Sequence, residues 1–193
     1  MTKKYNSVLL DIDNTLTDLQ PTLDIMAEEF GVEAVTTNDI HSFTLADAYN
    51  VTSDQEAEFW IENELRLTQE SVLEVERVKR MLDDYTHEDT VIHVVTMRPE
   101  EMYEATFHWL RANNIHFDHL ICLGQDSKVD YAMHFGIEAL FEDNPDFFDE
   151  VNEKSLNDEF DLFVIDYPYN QHVTNAVRLD RETGRVLQPE PVW

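Results

Sequence analysis

The chain has 193 residues, 42% of them hydrophobic, with 13 Lys and Arg against 41 Asp and Glu and a formal net charge of −28. That size and apolar content suit one domain with room for an inserted subdomain, and exclude a disordered acidic tail. The charge excludes a nucleic-acid polymer or an anionic membrane surface as the main partner, and any anion site must be locally positive.

The start, Met1 to Tyr5, has no apolar run behind it, and no stretch approaches the roughly 18 apolar residues of a membrane span. The lone Cys122 lies in the apolar run Leu120 to Leu123 and reads as an inert core residue of a protein in a reducing compartment. A cytoplasmic protein is expected.

Ser7 to Leu10 is a short apolar run that ends in Asp11 and Asp13, one residue apart, and reads as a buried parallel strand. Pro21 and Gly31 then bracket a helix whose Leu23, Met26, Ala27 and Phe30 share a face. Residues 32–50 carry little pattern. Ser53 with Glu56 suggests a capping box opening a helix that carries Ala57, Phe59, Trp60, Ile61 and Leu65. A further amphipathic pattern runs through Val72, Val75, Val78 and Leu82. The stretch 19–83 is therefore expected to be helical and to interrupt the strands around it.

From residue 91 strands and helices alternate. Val91 to Val95 is a strand followed by Thr96-Met97-Arg98-Pro99, and the proline opens a helix carrying Tyr103, Phe107 and Leu110. His119 to Leu123 is the next strand, Lys128 to Phe135 a helix closed by Gly136, and Glu138 to Phe141 a strand leading into Glu142-Asp143-Asn144-Pro145-Asp146. Phe160 to Ile165 leads into Asp166-Tyr167-Pro168-Tyr169-Asn170, a turn explained by its proline or by residues lining a site. The acid run beyond Asp146 reads as a solvated face. This order predicts an α/β fold, a Rossmann-like parallel sheet with helices on both faces.

In a parallel sheet the carboxyl ends of all strands lie along one edge. Asp11 and Asp13, Thr96 and Arg98, and Glu142 and Asp143 would meet there, with Lys128 between the last two. Acids for a hard, oxygen-seeking cation, a hydroxyl and two cations together describe a phosphate site with its own metal, Mg²⁺ above all. Taken singly, Thr96 is equally a helix cap, Lys128 a solvated helix residue and Arg98 a partner for a surface acid.

The order DIDNT, VVTMR ending in Thr96 and Arg98, Lys128 and FEDNPD resembles the four motifs of the haloacid dehalogenase superfamily of phosphatases. Within it, VTMRP and DYPYN make the chain resemble the 5′-deoxyribonucleotidases and bacterial 5′-nucleotidases. The resemblance implies a core of 1–18 and 84–193 with a small helical cap at 19–83. It implies that Asp11 is the nucleophile, forming an aspartyl-phosphate, and that Asp13 is the general acid and then base. Asp11, the backbone carbonyl of Asp13 and Asp143 would hold Mg²⁺, with Glu142 and Asp146 beside them. Thr96 and Lys128 would bind the phosphoryl group, and Arg98 the phosphate or substrate.

Phe43 and Trp60 either form a slot for a nucleobase or pack the cap. The expected activity is Mg²⁺-dependent hydrolysis of a small phosphorylated metabolite, a nucleoside or deoxynucleoside 5′-monophosphate. A sugar phosphate is the alternative substrate. A non-catalytic phospho-acceptor switch is the rival from another class, although such domains place adjacent acids first and lack the insertion.

Overall fold

In the computed structural model, which describes residues 3–187, six strands form one sheet: β1 (Ser7–Leu10), β2 (Val91–Thr96), β3 (His119–Cys122), β4 (Ala139–Glu142), β5 (Asp161–Ile165) and β6 (Val177–Leu179). Their order is β3-β2-β1-β4-β5-β6, and every pairing is parallel. From β1 the chain builds outward through β2 and β3, then returns to β4 on the other side of β1. The crevice between the ends of β1 and β4 is thus the point where the winding reverses, the usual ligand position in such sheets.

In the chain α1 (Gln20–Phe30), α2 (Ala46–Tyr49) and α3 (Ser53–Glu70) lie between β1 and β2, while α4 (Val75–Tyr85) and α5 (Tyr103–Ala112) cover one face of the sheet and α6 (Lys128–Phe135) and α7 (Pro145–Glu153) the other. Alternation along the strands divides the core. Val8, Leu10, Val94 and Phe141 pack with Val78, Met81 and Tyr85 of α4 and with Trp109 and Leu110 of α5. Leu9, Val95 and Leu140 face the other way, onto Val129 and Ala132 of α6 and Phe147, Phe148 and Val151 of α7. Among the described residues no helix is long and apolar enough to cross a membrane.

The region between β1 and β2 is helical as expected, with several local corrections. α3 is capped one residue earlier than the Ser53–Glu56 box: Thr52 Oγ1 accepts from Gln55 N at 3.2 Å while Gln55 Oε1 accepts from Thr52 N at 2.9 Å. Glu56 is instead buried, accepting from the amides of Leu45 and Ala46 at 2.7 and 3.2 Å at the start of α2. Of the apolar residues expected to pack on α3, Phe59 is buried, whereas Ala57, Trp60, Ile61 and Leu65 are exposed. Val72 precedes α4, and Val75 is exposed on it.

α4, grouped with the insertion by its sequence, lies against the sheet. The Tyr85 ring sits 5.4 Å from Phe141 and 4.5 Å from Phe163, centroid to centroid. The acidic run after Asp146 is the outer face of α7, a helix its sequence did not announce. β6, three residues long, was likewise not expected.

Candidate active site

The chain leaves β1 at Asp11, whose amide still donates to Phe141 O on β4 at 3.1 Å. It then coils at once: Ile12 O accepts from Leu16 N at 2.8 Å and from Thr17 N at 3.1 Å, and Asn14 adopts a left-handed φ of 64°. Asparagine tolerates that conformation better than most side chains. Ile12, Thr15 and Leu16 are buried beneath the loop. The two aspartates are thereby separated. Asp11 is 4% exposed, while the Asp13 side chain is 51% exposed.

Lys128 is the first residue of α6, fixed by Ser127, whose hydroxyl accepts from Asp130 N at 3.0 Å. Its ammonium is buried and donates to Asp11 Oδ1 at 2.5 Å and to Glu142 Oε2 at 2.6 Å. Glu142 Oε1 accepts from the amides of Asp143 and Asn144 at 3.0 and 3.1 Å, fixing the loop after β4. Asp143 Oδ2 accepts from the Tyr169 hydroxyl at 2.5 Å and from Asn14 Nδ2 at 3.3 Å. Asn170 Nδ2 donates to the Asp143 carbonyl at 2.8 Å. The segment after β5 is thus a proline-opened turn whose Tyr169 and Asn170 also bond to Asp143, so both readings of it hold.

Asp11, Glu142 and Asp143 are all buried, and each offers an oxygen within 4.8 Å of the others. Against these three carboxylates stands one ammonium. Burial first, then Glu142, raises the Asp11 pKa against the opposing pull of Lys128. Asp143 is held well above the ordinary carboxylate range by burial, Glu142 and Asp11. Burial works against the charge of Lys128, but Asp11 and Glu142 outweigh it and hold the amine protonated. An all-oxygen donor set with surplus negative charge in a dry pocket suits a hard divalent cation of the Mg²⁺ type.

The other expected residues gather beside this cluster. Thr96 ends β2, is buried, and its Oγ1 accepts from Arg98 N at 3.3 Å. The Arg98 side chain grips Asp13 with both arms, Nε to Oδ2 at 2.9 Å and Nη2 to Oδ1 at 2.6 Å, while Nη1 donates to Thr106 Oγ1 at 3.2 Å. The Asp13 carboxylate thus lies with Arg98 at the mouth, apart from the buried acids. Asp146 is exposed in the first turn of α7. Phe43, half-exposed, meets the Tyr169 ring edge-on at 5.6 Å.

Trp60 packs edge-on against Phe59 at 5.5 Å. It stands one turn before Glu64, and one further turn leads to the buried Thr68. Burial raises the Glu64 pKa, the Glu101 carboxylate adds to that, and Arg98 opposes it. Cys122, beside Thr96 at the end of β3, is only half-buried, and burial raises its thiol pKa.

Asn14, Thr15 and Thr106 were not foreseen. Asn14 and Thr15 lie inside the first motif, but their partner Asp143 is 129 and 128 residues away in the chain. Thr106 carries no signal beyond a polar residue on the inner face of α5.

No family model matches the chain. Two named proteins are similar to it over most of their length. "Putative nucleotidase BH1399" of Halalkalibacterium halodurans is 28% identical, covering 94% of this chain and 91% of that protein. Nucleotidase CA_C3379 of Clostridium acetobutylicum is 26% identical, covering 88% and 84%. Among solved structures, a HAD family hydrolase from Deinococcus radiodurans superposes with a TM-score of 0.53 at 14% identity, covering 90% of each chain. The chain thus has the fold of haloacid dehalogenase superfamily hydrolases and is distantly related to these nucleotidases.

Proposed function

We propose that this protein is a Mg²⁺-dependent phosphomonoesterase that works through an aspartyl-phosphate on Asp11, with nucleoside or deoxynucleoside 5′-monophosphates as substrates. The observation that carries the reading is the division of the two aspartates. Asp11 is buried against Lys128 at the reversal point of the sheet, and Asp13 stands at the mouth in the fork of Arg98.

Asp11, Asp143 and the loop at Asp13 would hold the cation, which when bound supplies charge neutralisation for the phosphoryl group. Lys128 favours the ionised form of Asp11, orients it and commits Oδ1, leaving Oδ2 as the attacking oxygen. Attack forms an Asp11–phosphorus bond and breaks the bond to the leaving oxygen, which takes a proton from Asp13. Water then attacks phosphorus as Asp13 recovers a proton, and Asp11 and inorganic phosphate part. One difficult displacement becomes two easier ones.

Thr96, whose oxygen accepts from Arg98 N, keeps its hydroxyl proton for a phosphoryl oxygen. Arg98 retains one N–H on each Nη beyond the bonds to Asp13 and Thr106, so its fork can hold the acid and a phosphoryl oxygen together. Residues 19–74 would form the cap. Phe43, which meets the Tyr169 ring, and Trp60, on α3, would supply apolar contacts for a base. The relatives named as nucleotidases support that choice of leaving group.

The test is phosphate release from a panel of ribo- and deoxyribonucleoside monophosphates and sugar phosphates, with Mg²⁺ and with EDTA, for wild type and Asp11→Asn. Metal-dependent release from nucleotides, lost in Asp11→Asn, is expected. Release from sugar phosphates alone would discard the substrate, and stable phosphorylation without turnover would favour the switch.

A further inference from the structure

The chain after β6 turns back on itself in a tight hairpin. Asp180 N donates to Arg185 O at 2.8 Å, Leu187 N to Arg178 O at 2.9 Å, and Asp180 Oδ1 accepts from Thr183 N at 2.8 Å. None of these residues belongs to the site described above, yet the hairpin touches three elements that frame it.

The first is α4. Arg77 is wholly buried, and its guanidinium donates to backbone oxygens: Nη2 to Thr17 O at 2.6 Å and Nη1 to Arg181 O, while among the described residues Nε has no partner. Burying an arginine whose hydrogen bonds go to backbone oxygens rather than to a carboxylate is costly. Arg80 Nε adds a bond to Thr183 O at 2.9 Å. Gly184, at φ +67°, lies so close that a Cβ there would sit 2.9 Å from Arg77 O.

The second is the pair of crossings between sheet and insertion. Asp18 N donates to Val72 O and Glu74 N to Leu16 O, each at 2.9 Å, so the outgoing and returning chains pair beside Thr17, the residue Arg77 holds. The third is the insertion itself. The Arg181 guanidinium lies 5.8 Å from the Tyr167 ring centre and donates to Asn38 Oδ1 at 2.6 Å. Asn38 and Arg181 both line a cleft of about 480 Å³, with His41, Pro168 and Asp180.

We propose that this hairpin is a latch for the helical insertion: Arg77 anchors it to α4 and to the crossing point, and Arg181 holds the insertion by Asn38. Arg77 and Arg181 are positioning residues. They touch no reacting atom and act by setting how often the insertion stands open. The inference rests on the reading of 19–74 as a mobile cap over the site.

The test is amide hydrogen exchange on wild type, Arg181→Ala, Asn38→Ala, the double variant and Gly184→Ala, with steady-state kinetics on the same proteins. Each single variant should speed exchange at Asp18 and Glu74 about tenfold, the effect of losing one charge-assisted hydrogen bond, with no change at Leu9, Val94 or Leu140. The double variant should be no faster than either single variant. Gly184→Ala should do the same by pushing the hairpin off α4.

KM for a nucleoside monophosphate should rise severalfold, while kcat for p-nitrophenyl phosphate, whose small leaving group needs no cap, stays unchanged. Exchange at Asp18 and Glu74 unchanged in Arg181→Ala, or additive in the double variant, would overturn the latch. Because exchange needs no substrate, it reads the latch even if the phosphatase reading fails.

Discussion

Lys128 is the residue on which the buried electrostatics turn. It is the cation bonded to two of three buried carboxylates, and deleting it leaves Asp11 and Glu142 facing each other without a counter-charge. Breaking a buried pair in this way costs about 3–5 kcal/mol. Lys128→Met should therefore lower metal-free stability by about that much in urea unfolding and abolish turnover. Glu142→Gln, which removes one of the crowded charges but leaves either Lys128 or the amides of Asp143 and Asn144 facing an NH2 group, should cost less than Lys128→Met. Equal losses in the two variants would mean that the cluster is held by packing rather than by charge.

At this scale the sequence was most informative where chemistry is local. Asp11 and Asp13 at the end of an apolar run announce themselves. The bonds from Asn14, Thr15, Tyr169 and Asn170 to Asp143 depend on where β1, β4 and β5 stand side by side, which no local spacing encodes.

Among the elements, α6 has a small cap with a large consequence. Ser127 accepts from Asp130 N and donates to Glu150 Oε1 of α7 at 2.5 Å, and the next residue is Lys128. Loss of an N-cap hydroxyl costs about 1 kcal/mol. Ser127→Ala should show that loss by thermal or urea unfolding, together with a fall in kcat that Ser127→Thr restores. A stability loss with kcat intact would show that Lys128 is placed by its ion pairs alone.

Strands and helices with one apolar face, such as β1, β2, α1 and α6, were legible in the sequence. α7 was hidden because its outer face is so acidic that the run reads as solvated chain, while Phe147, Phe148 and Val151 supply the buried side. β6 has three residues and too little pattern to register. α4 carries the same apolar period as the insertion before it, and period alone does not say which surface a helix covers. Tyr85, wedged against Phe141 and Phe163, decides that.

For the whole molecule, a net charge of −28 surrounds a site proposed to take an anion. Lys128 and Arg98 are already matched by Asp11, Glu142 and Asp13, so they offer no long-range attraction. The field of the remaining acids slows the approach of a nucleotide at low ionic strength, and salt screens it over about 10 Å at 0.1 M. With Mg²⁺ saturating, kcat/KM for a nucleoside monophosphate should rise as KCl goes from about 10 to about 300 mM. A fall over that range would show that the mouth is electropositive at distance.

The central claim is that Asp11 carries the phosphoryl group while Asp13 moves protons. Asp13→Asn with p-nitrophenyl phosphate tests it most directly, because nitrophenolate leaves without an acid while water still needs a base. With Mg²⁺ present, one equivalent of nitrophenolate should appear in a burst, turnover should then stall, and the protein should gain the mass of one phosphoryl group on the peptide bearing Asp11. Steady turnover at the wild-type rate with no burst, or a phosphoryl group on any other residue, would contradict the assignment.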